Sequence, residues 1–77
     1  MKFQTLEYVA LERDLPEHGL RKGDLGTIVE VYERDGLEVE FVAASGETQA
    51  VLTLTARDVR KVTSADMLAA RPTRPTA

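Results

Sequence analysis

His18 is the only imidazole in a chain of 77 residues that contains no cysteine, so acid–base or metal chemistry would have to run through that one ring and nearby carboxylates. It lies in Pro16-Glu17-His18-Gly19, a run of breakers that reads as an exposed loop, and no catalytic or metal role is assigned to it. Glu30, Glu38 and Glu40 are the next candidates. Alternation with apolar neighbours places them on the outer side of adjacent strands, where an acidic patch could attract a basic partner or offer oxygen ligands to a divalent cation. A solubilising outer face is the simpler reading. Gly23, Gly26, Gly36 and Gly46 invite a phosphate-loop reading, but the Gly23-Asp24-Leu25-Gly26 stretch lacks the Lys-Ser/Thr pair and leads into a strand instead of a helix. Turn geometry and sheet curvature account for these glycines. Tyr8 and Tyr32 could offer apolar area and a hydroxyl to an extended peptide, although a packed core of Phe3, Tyr8, Tyr32 and Phe41 is the preferred reading.

No set of nucleophile, base and oxyanion donors can be assembled from these residues. The expectation is therefore a binding protein and not an enzyme, with no catalytic residue, no metal and no cofactor. Its candidate partner-binding residues are Tyr8, Glu17, His18, Glu30, Tyr32, Glu38 and Glu40.

Positioning them falls to a very small core. At this length one domain is the ceiling, few apolar residues are left over to line a deep pocket, and the lack of cysteine leaves packing alone to hold the fold. The same lack fits a reducing cytoplasm, and no apolar run approaches a signal peptide or the roughly 18 residues of a membrane span. Net charge is −3. Residues 1–63 hold eight basic and twelve acidic side chains, and an acidic fold argues against nucleic acid, which is gripped by clustered Lys and Arg.

Short alternating runs separated by Gly, Asp, Ser and Pro predict an all-β fold. The first strand is read at Thr5 to Leu11, with Tyr8 and Ala10 on one side and Val9 and Leu11 on the other. A long connection follows from Glu12 to Lys22, in which Leu15 and Leu20 are expected to pin the loop to the core. The second strand runs from Leu25 to Glu33. Ile28, Val29 and Val31 cannot share one pleated face, which predicts a bulge or a strong bend. Asp35-Gly36 is expected to supply the left-handed geometry of a tight hairpin before Leu37, Val39 and Phe41 alternate with Glu38 and Glu40. Ser45-Gly46 makes the next turn, and Thr48 to Leu54 forms the fourth strand. Thr55 to Asp58 suits one 3₁₀ turn before a short last strand, Val59 to Thr63. A strand, a long first loop, a three-stranded meander, a 3₁₀ turn and a final strand make a small five-stranded barrel of the Src-homology-3-like kind over residues 1–63. Residues 64–77 read as a tail: a short helix capped by Ser64 with Met67, Leu68 and Ala70 on one side, then a flexible terminus past Arg71.

Asp14-Leu15-Pro16-Glu17, Leu20 with Gly23-Asp24 and Gly26-Thr27, the Val39-Glu40-Phe41 strand and the Leu52 to Val62 ending together resemble the bacterial family of domain of unknown function 4926. The likeness covers roughly Tyr8 to Val62. A looser one, confined to Gly23 through Val31, extends to the barrel of the nitrile hydratase β subunit and to KOW-type ribosomal and transcription-factor barrels, and implies shared architecture alone. The family resemblance implies no assigned reaction. By analogy it implies an accessory module that binds or neutralises the product of a neighbouring gene. Two alternatives stay open beside it: a nucleic-acid-binding KOW-like barrel, and a structural barrel that self-associates as a homodimer through an uncovered strand edge or the Met67-Leu68 segment.

Overall fold

Alternation of buried and exposed residues is carried into a single antiparallel sheet. The computed structural model describes residues 2–69. Its strands are β1 (Tyr8–Leu11), β2 (Leu25–Val31), β3 (Gly36–Val42), β4 (Thr48–Thr55) and β5 (Val59–Lys61), followed by helix α1 (Ser64–Ala69). The strand order is β4-β3-β2-β1-β5 with every pairing antiparallel. The long first loop, the β2–β4 meander and the short last strand stand in the expected sequence. The sheet is open, ending at β4 on one side and β5 on the other.

The inner face collects Val9, Leu11, Ile28, Leu37, Val39, Phe41, Leu54 and Val59, and Leu15 and Leu20 close over it from the first loop. Those two leucines pair with each other across an isolated bridge and are 3% and 1% exposed, as their isolation among polar residues predicts. The expected irregularity in β2 is a bulge at Val29. Ile28 faces Val39, the next registered pair is Glu30 with Glu38, and Val29 is the extra residue between them. One inserted residue resolves the conflict among Ile28, Val29 and Val31: it turns Glu30 outward beside Glu38 and brings Val31 to the side of its partner Leu37, where it lies at the exposed end of the strand.

Four local expectations are corrected. The first strand begins at Tyr8 and not Thr5, because Glu7 N–H donates to Gln4 O (3.1 Å) and closes a turn that holds Leu6 in the left-handed region at φ 73°. In the β2–β3 hairpin the left-handed residues are Arg34 (φ 60°) and Asp35 (φ 64°), with Gly36 N–H donating to Glu33 O. That is a type I′ turn, whose twist suits the flanking strands even where non-glycine residues carry it. The segment before β5 closes as one turn, Asp58 N–H to Thr55 O, and the 3₁₀ turn among the described residues lies earlier, at Pro16–His18. The Asp58 carboxylate takes Thr55 N–H (2.9 Å) and Thr55 Oγ1 (3.2 Å), which ends that turn after a single bond. The cap of α1 is Thr63 and not Ser64. Thr63 N–H donates to Asp66 Oδ2 (2.7 Å) while Asp66 N–H reaches Thr63 Oγ1 (3.3 Å), the reciprocal pattern of a capping box. The expected apolar side of Met67, Leu68 and Ala70 and the terminus past Arg71 lie outside what the structure describes.

Three carboxylates tie the periphery to this sheet. Lys61 Nζ hydrogen-bonds Glu7, Arg60 grips Asp66 with two bonds of 2.6 Å, and Arg13 Nε meets Asp58 Oδ1 at 2.9 Å. Glu7 is held below its ordinary pKa by Lys61, and Asp66 by Arg60 and then Thr63. For Asp58 burial pushes upward, but the Thr55 amide and Arg13 outweigh it and the net shift is down. A carboxyl whose folded pKa lies below its unfolded value, near 4, stabilises the fold above that value and loses its contribution as pH falls through the folded one. Melting temperature is therefore expected to stay level from neutral pH to about pH 5 and to fall steadily below about pH 4. Circular dichroism melts across that range test this. Asp58→Asn should flatten the acid limb, and an acid limb as steep in the variant as in the wild type would refute the assignment to Asp58.

Candidate functional site

Cross-strand register decides which of the candidate side chains meet. Tyr8 faces Thr27, Thr27 faces Glu40 and Glu40 faces Val51, one row on the outer side of four strands. Leu25 and Val42 lie beside that row. Together Tyr8, Leu25, Gly26, Thr27, Glu40 and Val42 line a recess of about 350 Å³. Tyr8 is 59% exposed, Val42 46% and Val51 47%. Three large apolar side chains in the open around one carboxylate, with half-buried Leu25 beside them, make an apolar patch on this face. Glu40 is half-buried and accepts a hydrogen bond from Thr48 Oγ1 at 2.8 Å, which fixes its position at the rim.

Tyr32 belongs to a second surface. It lines a cleft of about 450 Å³ with Phe3, Val31, Arg34, Asp35 and Leu37. Glu30 and Glu38 are direct cross-strand partners, two like charges face to face, which is unfavourable. Thr53 Oγ1 donates to Glu38 at 2.7 Å and partly offsets this. The Tyr32 hydroxyl is pushed above its ordinary pKa, first by desolvation and then by the negative charges of Glu38 and Glu30.

The preferred reading of four core aromatics is thus overturned for two of them. Phe41 is buried and Phe3 half-buried, but Tyr8 and Tyr32 are exposed. Tyr8 stands one residue outside the buried run Val9-Ala10-Leu11, and Tyr32 lies past the end of β2, so neither reaches the inner face. Glu17 and His18 sit apart from both surfaces, on the 3₁₀ turn. His18 is half-buried, and its carbonyl receives Gln49 Nε2 at 3.0 Å. Among the described residues no group of three His, Cys, Asp or Glu is close enough to hold a metal ion, so the cation reading of the glutamate face lacks its donor set.

Sequence reasoning missed Leu25, Val42 and Val51. Val42 had a signal: it follows the inward run Leu37, Val39, Phe41 out of phase, so an apolar side chain must point outward. Asp24 was also passed over. It is 3% exposed and accepts Arg21 N–H at 2.8 Å, closing the turn that feeds β2.

No helix among the described residues is long and apolar enough to cross a membrane. A family model described as a domain of unknown function, DUF4926, matches residues 5–61. No curated protein and no solved structure matches the chain.

Proposed function

The chain belongs to the DUF4926 family, and from the surface this fold presents we propose that it is a non-enzymatic protein-binding module that acts on the product of a neighbouring gene. The observation that carries the reading is the outer-face recess, where exposed Tyr8 and Val42 flank the fixed carboxylate of Glu40. Tyrosine supplies rigid contact area at low entropic cost, and a partner side chain laid on it with a Lys or Arg placed over Glu40 would match both halves of the site. The facing pair Glu30 and Glu38 adds a second position at which a basic group relieves repulsion. A net charge of −3 and this acidic face speak against a nucleic-acid partner. The Src-homology-3-like topology supports the same reading, because such barrels present extended surfaces and not deep clefts.

The test is co-expression with the product of the adjacent gene. A stoichiometric complex is expected, weakened about tenfold or more by Tyr8→Ala, as for an aromatic anchor, and weakened by Glu40→Lys in a salt-dependent way. Absence of a complex, or a complex indifferent to both substitutions, would sink the proposal.

A further inference from the structure

β4 ends the sheet, and its sequence, Thr48-Gln49-Ala50-Val51-Leu52-Thr53-Leu54-Thr55, contains no charge and no proline. Edge strands are ordinarily guarded by lysine, by proline, by being short or by a covering segment. The opposite edge obeys this: β5 has three residues, two of them Arg60 and Lys61. Along β4, by contrast, every position from Thr48 to Thr53 is exposed or half-buried.

The free backbone groups can be identified by parity. Ala56 N–H donates to Asp35 O at 2.9 Å. Because inward and outward bonding alternate along an antiparallel ladder, Leu54, Leu52 and Ala50 likewise bond to their partners Leu37, Val39 and Phe41. Val51, Thr53 and Thr55 then direct N–H and C=O to the open side. Thr55 is already engaged, its N–H by Asp58 Oδ2 and its carbonyl by Asp58 N–H. Val51 and Thr53 are left with two donors and two acceptors.

We propose that these four groups pair with the same four of a second copy of the chain, antiparallel, with Leu52 on the two-fold axis. In that register each Val51 faces Thr53 of the second copy and exchanges both bonds with it, so four interchain hydrogen bonds use every free donor and acceptor. A slip of one step toward the C-terminus sets Val51 against Thr55, whose groups are taken. A slip toward the N-terminus sets Thr53 against Gln49, which the register shift near Val42 displaces. Side chains agree with the choice: Leu52 meets Leu52 on the core side and Val51 meets Thr53 outside, with no charged pair. Electrostatics permits a second copy at this edge despite the net charge of −3. The β3 strands bearing Glu38 and Glu40 would lie three strand spacings apart, about 14 Å, beyond the Debye length of ~8 Å. The contact is small, so the dimer is weak, with a dissociation constant on the order of 10–100 µM.

Sedimentation of the full chain from low micromolar to near-millimolar concentration tests this without any partner, so its outcome is independent of the recess described above. The mass is expected to rise toward twice that of the monomer, with amide exchange at Val51 and Thr53 slowing as it does. The double variant Val51→Lys and Thr53→Lys should raise the dissociation constant at least about tenfold, since like charges then face each other across the axis. It should also keep its melting temperature, because the new side chains meet Glu40 and Glu38 within the monomer. A wild type that stays monomeric, a variant that dimerises equally well, or protection appearing elsewhere overturns the proposal. So does a monomer whose Val51 and Thr53 amides become protected only when the adjacent gene product is added, which would make β4 an edge for a foreign strand.

Discussion

Phe41→Ala is expected to lower the unfolding free energy by about 3–5 kcal/mol, the largest single effect in the molecule. Phe41 is 1% exposed and heads the fully buried side chains by volume. It lies on β3, the middle of the meander, and packs on the inner face with Val39 and with the backbone of Gly26. Removing the ring leaves a cavity that β2 and β4 cannot close, because both are fixed in register to β3. A domain of this length has roughly 4–12 kcal/mol of stability in total, so the variant should be largely unfolded in urea concentrations the wild type tolerates. Urea titration followed by circular dichroism measures this. Phe3→Ala is the control: Phe3 is only half-buried at the rim of the core, and its loss should cost well under half as much. Equal effects from the two would mean that Phe41 does not centre the core.

Period-two alternation made most of the sheet legible in advance. Leu37, Val39 and Phe41 against Glu38 and Glu40 fix both the strand and its inner side, and the crowding of Ile28, Val29 and Val31 forecast a bulge that the register places at Val29. Turn and cap details were less legible, because several residues compete for each role. Asp35-Gly36 offered the obvious left-handed pair, yet the chain puts Arg34 and Asp35 there. Gly36 instead opens β3, where an added Cβ would come within 3.2 Å of Tyr32 Cβ. Thr63 and Ser64 are equally good caps by composition, and Asp66 decides between them because only Thr63 stands three residues before it.

The candidate site divides the same way. Glu40 and Tyr8 could be named from residue type, but their adjacency could not, since it passes through Thr27 and depends on how β1 and β3 each register with β2. That dependence also explains why Tyr8 and Tyr32, alike in sequence, finish on separate surfaces. The bare edge of β4 was visible as an uncharged run, whereas the parity that frees Val51 and Thr53 comes only from the hydrogen bond of Ala56 to Asp35.

Gly26→Ala should cost about 2–3 kcal/mol, and the cause is space, not backbone conformation. Gly26 sits in β2 and its φ is not among the positive ones. A Cβ there would stand 2.7 Å from Val39 Cγ1 and 2.8 Å from Phe41 Cε1, well inside contact distance. Neither neighbour can retreat, because Val39 is 0% and Phe41 1% exposed. Gly23 provides the contrast. At φ 93° with nothing within 4 Å of an added Cβ, its substitution by alanine meets only left-handed strain, about 1–2 kcal/mol. A double-mutant cycle separates the mechanisms: Val39→Ala removes the nearer of the two contacts and leaves the one with Phe41, so the pair should be less destabilised than the sum by about 1 kcal/mol. Additivity would show that the clash is relieved some other way. Because Gly26 also lines the recess beside Tyr8 and Glu40, any outward shift of β2 that absorbs the methyl should weaken partner binding in the same variant, and removing the Val39 contact should recover part of that binding.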